Sequence, residues 1–229
     1  MSSITKIEFA VKMTCEKCVE AVQNSFRNES RVQLVDINLK ANRVVVATDL
    51  PTEQVQQILE KSGRKVVVKG HAGQQSAVAI LHVGLQNIKG VVRFIQLSNS
   101  CIIDGTIDGL SPGIYNLAIH ECGDISKDCE SVGDCFEMAN SIDPNRKYGD
   151  LGIITADKNG RASFRIEDHV IEVPNLIGRS LVLLESNSKN RLVCGIIARS
   201  SGLFENPKTI CACDGISIWD ERILTKSGL

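Results

Sequence analysis

Apolar and polar residues alternate between positions 4 and 11, which predicts a half-buried strand near the start of the chain. After Lys12-Met13-Thr14-Cys15 the period changes. Val19, Val22 and Phe26 recur at helical spacing, so a helix is expected over residues 16–28 with Cys18 in its first turn. Residues 32–38 and 43–48 read as two further strands. Pro51 then opens a second helix carrying Val55, Ile58 and Leu59 on one face, and a last strand falls at 65–69. Strand, helix, strand, strand, helix, strand is the ferredoxin-like order, in which both helices can cover one sheet face.

From residue 76 onward the helical period disappears. Short β-rich runs follow at 77–83, 90–97, 102–107, 115–120, 162–166, 180–184 and 193–198, a pattern that predicts a β-sandwich or barrel. Gly109-Leu-Ser-Pro-Gly113 and the Asn159-Gly160 hairpin signal supply the turn chemistry. Residues 121–150 have little periodicity and read as a functional loop. The small polar stretch around 71–75 has linker composition, and from 203 the chain is rich in turn formers and too short to bury a core of its own. The expected organisation is an α+β domain at 1–70, a linker at 71–75, an all-β domain at 76–202 and a short mobile tail at 203–229.

A length of 229 residues suits two compact units, and 43% hydrophobic content predicts that they fold. Lys and Arg (26) balance Asp and Glu (27) with no basic stripe interleaved with aromatics, so a nucleic-acid partner is not expected. The amino terminus carries charge where a signal peptide needs an apolar run, and no stretch reaches membrane-spanning length. A cytoplasmic location with no required membrane contact is the expectation. Nine cysteines is a high count for a compartment that keeps thiols reduced, so metal or redox chemistry is the reason to seek.

Two cysteine pairs stand out. Cys15 and Cys18 lie where a strand hands over to a helix, near unsatisfied N–H groups and the positive end of a helix dipole, which favours thiolates. Two soft thiolates with no nearby His, Asp or Glu ligand suit Cu(I) better than zinc, which prefers four ligands. A thioredoxin-type redox pair is the competing reading, disfavoured by the absence of a preceding aromatic and of a proline between the cysteines. Cys211 and Cys213 lie in the tail, where they could clamp one soft ion or form a strained disulfide ready for exchange. A four-cysteine zinc site made with Cys15 and Cys18 is the alternative.

The run Met13-Thr-Cys15-Glu-Lys-Cys18 resembles the M-x-C-x-x-C loop of small copper-binding ferredoxin-like domains in copper chaperones and copper-transporting ATPases. That resemblance implies that Met13 anchors the loop, that Cys15 and Cys18 hold Cu(I), and that Lys65 supplies positive charge to the anionic copper dithiolate. Between 76 and 199, the segments Gly109–Gly113, His120-Glu-Cys-Gly-Asp124, Gly149-Asp-Leu-Gly152, Thr155–Gly160, Ile177-Gly-Arg179 and Arg191–Gly195 are similar, in order, to Cu/Zn superoxide dismutase. The resemblance implies a Greek-key β-barrel with a Cys129–Cys194 disulfide. It also implies a lost copper site: of the four copper histidines only His120 remains, with Ala118, Cys135 and Leu184 at the other positions. Asp150 is kept from the zinc set, while Lys147 replaces a histidine. Cys101 and Cys122 have no matching role and are expected to be buried.

As a whole the chain resembles the copper chaperones for superoxide dismutase. The resemblance implies a metallochaperone and not an enzyme, delivering Cu(I) through Cys15, Cys18, Cys211 and Cys213 and passing a disulfide to its client through Cys211 and Cys213. The partner is Cu/Zn superoxide dismutase in a heterodimer, docked through Ile177, Gly178, Arg179, Gly195, Arg199 and Ser200; a homodimer through the same surface and a presence in the mitochondrial intermembrane space are further expectations. An active dismutase and a copper-buffering or zinc-binding protein without a client are the rivals.

Overall fold

The computed structural model describes residues 3–138, 146–186, 188, 190–210 and 216–220. Its contacts divide the chain into a unit of residues 1–72 with 201–229 and a unit of residues 73–200.

In the first unit the order is β1 (Thr5–Val11), α1 (Glu16–Ser25), β2 (Val32–Asn38), β3 (Arg43–Thr48), α2 (Thr52–Glu60) and β4 (Val66–His71). The strands form an antiparallel sheet in the spatial order β2-β3-β1-β4. Alternation sorts the strand residues. Ile7, Phe9 and Val11 of β1, with Val44 and Val46 of β3, face Val22 of α1 and Val55 and Leu59 of α2 in one buried core. Helix α1 ends three residues earlier than its period suggests, because the Phe26 N–H turns to the Gln23 carbonyl and tightens the last turn.

The opposite face of this sheet is not bare. The sequence predicts a free tail from 203, but the described tail residues lie on that face. Ile218 and Trp219 pack against Ala10 and Val67, and the Trp219 indole N–H donates to the Ala10 carbonyl over 3.1 Å. The Phe204 N–H donates to the Glu8 carboxylate over 2.6 Å, and Arg43 stacks on the Phe204 ring at 4.7 Å. Gly70 permits the approach: a Cβ there would sit 2.2 Å from the Gly202 carbonyl oxygen. The physical reason is economical: the only tryptophan of the chain finds an apolar seat that an exposed tail would deny it.

The second unit contains β5 (Ser76–Leu81), β6 (Val83–Gly84), β7 (Lys89–Gln96), β8 (Cys101–Asp108), β9 (Gly113–His120), β10 (Ser126–Cys129), β11 (Asp150–Ala156), β12 (Ala162–Asp168), a 3-10 turn at Val173–Asn175, β13 (Ser180–Glu185) and β14 (Arg191–Arg199). The sheet runs β11-β9-β13-β14-β5-β7-β8-β12, and it nearly closes as a barrel with a Greek-key crossover between β8 and β9. Inward residues of every layer, among them Phe94, Ile103, Leu117, Ile119, Leu181 and Leu183, fill the interior.

Two strands escaped the sequence pattern. In β11 the buried residues are Leu151, Ile154 and Ala156, a spacing of three and then two. The register shifts between Asp150 and Ile153, and Gly152 there takes φ +81°, so a bulge breaks the alternation. Strand β10 is four residues long with only Cys129 buried, too little for any period to show.

Candidate metal centre

Three strand ends position the cysteine loop of the first unit. The Val11 N–H reaches the Asn42 carbonyl, the Met13 N–H donates to Asn42 Oδ1 over 2.7 Å, and the Lys12 N–H donates to the Lys65 carbonyl over 3.0 Å. Asn42 adopts φ +50° in the turn between β2 and β3, a conformation asparagine tolerates. Met13 is buried and anchors the loop in the core, as the resemblance implies. Cys15 is the extended residue that starts α1, and Cys18 occupies the first turn with its N–H on the Cys15 carbonyl.

The two sulfurs are 3.6 Å apart, Cys15 exposed and Cys18 buried. The Thr14 backbone N–H donates to Cys18 Sγ over 3.4 Å and is the main cause that lowers this thiol to about 6; the Thr14 hydroxyl at 3.6 Å adds to it, and burial opposes it. At neutral pH the loop therefore presents a thiolate beside a second sulfur within reach of the same ion. Among the described residues no three His, Cys, Asp or Glu side chains gather to hold a metal, so the four-donor set that zinc prefers is not assembled there. Cys211 and Cys213 lie outside the described residues.

These contacts carry a pH prediction. Because the folded loop favours the thiolate, it gains stability at pH above the ordinary thiol range, and that gain is lost as pH falls through about 6. The thiolate absorbance of Cys18 against pH, read as the difference between the wild type and Cys18→Ser, should show a midpoint near 6. Thr14→Val, which keeps the N–H and removes the hydroxyl, should move it only part of the way up, since the N–H is the larger influence. A wild-type midpoint in the ordinary thiol range would contradict this geometry.

Lys65, which the resemblance sets near the cysteines as a positive charge, has an ion-pair partner in the tail. Its ammonium lies 2.6 Å from Asp220, whose carboxyl it holds below the usual carboxylate range. Nothing in the sequence pattern joins residues 155 positions apart.

In the second unit Cys129 and Cys194 form a disulfide with Cα atoms 5.7 Å apart, as the resemblance implies. Cys101 is fully buried and its thiol is pushed up to about 12, chiefly by that burial. Cys122, expected to be buried, is exposed, because it follows the end of β9 where the chain leaves the barrel. Lys147 is paired with Glu137. Ala118, Cys135 and Leu184, with His120, stand where the resemblance sets the dismutase copper histidines, and three residues of that set are not histidine, so they do not fit that copper site.

The proposed docking residues separate into two groups. Gly178 and Arg199 are exposed, and Ile177 and Ser200 are half-buried. Arg179 is committed inward: its guanidinium stacks 3.4 Å over Phe136 and donates to the Glu121 and Asn175 carbonyls. Gly195 must be removed from a contact surface, because it is buried and a Cβ there would stand 2.0 Å from the Ile80 carbonyl oxygen. Its neighbour Ile196 is 39% exposed on the outward side of β14, a position that the strand's alternation could have revealed.

Comparison with known proteins agrees with both units. Residues 8–65 match the heavy-metal-associated domain, and residues 88–197 match the family described as copper/zinc superoxide dismutase. The chain thus joins a metal-carrying ferredoxin-like domain to a dismutase-like barrel, which defines a metallochaperone. It is 46% identical to the copper chaperone for superoxide dismutase of Mus musculus over 96% of this chain and 90% of that one. It is 44% identical to the Homo sapiens protein of the same name, with the same coverage. The chain belongs to the family of copper chaperones for superoxide dismutase. Among solved structures, that of the clock protein EA4 matches with a TM-score of 0.50 and 30% identity, covering 56% of this chain and 97% of that one.

Proposed function

We propose that this protein is a metallochaperone that delivers copper to Cu/Zn superoxide dismutase, carries it as Cu(I), and closes the client's intramolecular disulfide within a heterodimer. The observation that carries the reading is the Cys15–Cys18 pair with its lowered Cys18 thiol, placed in one chain with a barrel that matches the client's family and, by the resemblance, keeps only His120 of the client's copper histidines. A soft monovalent ion matches two sulfur donors, and a barrel related to the client can share the client's two-fold interface, for a heterodimer or for a homodimer of this chain.

Copper moves by ligand exchange, one sulfur at a time, from Cys15 and Cys18 toward the client, with Cys211 and Cys213 as the second pair. For the redox step, once copper has left the tail, dioxygen takes two electrons and two protons from the Cys211 and Cys213 thiols, giving their disulfide and hydrogen peroxide; a client thiolate then attacks that disulfide and one tail sulfur leaves as thiolate. The second client thiolate then displaces the other tail sulfur. The client is oxidised by two electrons and the tail is left as two thiols.

Mixing copper-loaded protein with reduced, zinc-loaded apo-dismutase tests both steps through client activity and client disulfide state. The wild type should raise both. Cys211→Ser with Cys213→Ser should abolish activation with the chain still folded; ordinary disulfide closure by that double variant would refute the redox step.

A further inference from the structure

Outside the cysteine loop, the second unit leaves polar atoms buried without a partner. The His120 imidazole is 4% exposed and fixed through Nδ1, 2.9 Å from the Gly133 carbonyl oxygen, so Nδ1 carries the proton and Nε2 keeps its lone pair. Burial lowers the pKa of this histidine and so favours the neutral ring. Among the described residues, Nε2 is buried and has no hydrogen-bond partner. Ser180, directly across the β9–β13 ladder from His120, also has a buried hydroxyl without a partner among them. Buried polar groups are rarely left so, and two of them on neighbouring strands mark a place where something else belongs.

The residue facing His120 on its other side is Cys135. The Glu121 N–H bonds to the Asp134 carbonyl and the Phe136 N–H to the Ile119 carbonyl, which makes His120 and Cys135 a non-hydrogen-bonded antiparallel pair. In such pairs the two side chains leave the same face at their closest spacing. Cys135 is a free, half-buried thiol.

We propose that His120 Nε2 and Cys135 Sγ form a two-coordinate site for Cu(I) in the dismutase-like unit, separate from both terminal cysteine pairs. Binding joins Cu(I) to the sulfur and to Nε2 and releases the thiol proton to solvent. One thiolate and one neutral imidazole around a monovalent ion carry no net charge, which suits a site this poorly hydrated. A divalent ion would leave a positive charge beside Arg191, whose guanidinium donates to the same Gly133 carbonyl, and would find too few donors. The carbonyl that holds Nδ1 also orients the ring for metal, as partners of ligating histidines do. Both residues stand at positions that the resemblance assigns to the dismutase copper set, but a thiolate replaces one histidine and two others are missing, so the donors and the coordination number differ from that enzyme's.

The test uses the full chain with Cys15, Cys18, Cys211 and Cys213 all replaced by serine, so its outcome does not depend on the function proposed above. Under competition with a Cu(I) chelator this variant should retain one equivalent of Cu(I), and X-ray absorption should show one sulfur and one nitrogen neighbour. Adding Cys135→Ser, a half-exposed change, should abolish retention with the circular dichroism spectrum unchanged, and adding Cys122→Ser should leave it intact. No retained copper, retention that survives Cys135→Ser, or a preference for zinc would each overturn the proposal; in the first case a water bridging His120 and Ser180 accounts for the unpaired atoms.

Discussion

Replacing Cys15 and Cys18 together with serine should remove one equivalent of Cu(I) from the full chain and leave it unable to load its client from that end. Serine keeps the shape of the side chain and replaces a soft sulfur by a hard oxygen, so the loss is one of donor chemistry. The single variants should differ in stability while sharing the copper defect. Cys15 is exposed, so its serine should cost almost nothing. Cys18 is 1% exposed against Val22 and Met13, and a hydroxyl there should destabilise the copper-free unit by about 1 kcal/mol. Chelator competition and thermal unfolding read the two effects separately. Equal stability losses at the two positions would contradict the burial of Cys18.

Loss of the Cys129–Cys194 bond should give the largest change in stability. It closes a loop across 65 positions, joining β10 to β14, and constraining a loop of that length in the unfolded chain contributes roughly 4 kcal/mol. For a unit of residues 73–200 this lowers Tm by roughly 15 °C in Cys194→Ala. Reductant should bring the wild type down toward the variant and leave the variant where it is. Calorimetry of both proteins with and without reductant checks this, and a wild-type Tm indifferent to reductant would remove the disulfide from the account. The neighbours of the bond are apolar, Val132 and Val182 buried with it and Val83, Ile125 and Leu184 packed against them, so substitution also leaves a poorly filled space.

Much of the architecture was readable because it is local. Period two in β1 and the helical spacing of Val19, Val22 and Phe26 are properties of neighbouring residues, and the C-x-x-C spacing alone puts two sulfurs on one strand-to-helix handover. Where local pattern was broken the reading failed for a visible cause. The bulge at Gly152 hides β11, and the end of the β9 ladder turns Cys122 outward.

The remaining features depend on residues that are distant along the chain. Asp220 takes Lys65, Trp219 finds Ala10, Gly195 lies under the Ile80 carbonyl, and His120 faces Cys135 with an unpaired nitrogen. Composition and periodicity contain the strands, the helices and the donor atoms of the cysteine loop, since these follow from torsional preference and burial along a few consecutive residues. Which charge neutralises which, which face of a sheet is covered, and which polar atom is left without a partner follow from packing between segments far apart in the chain, and sequence spacing carries no information about those distances.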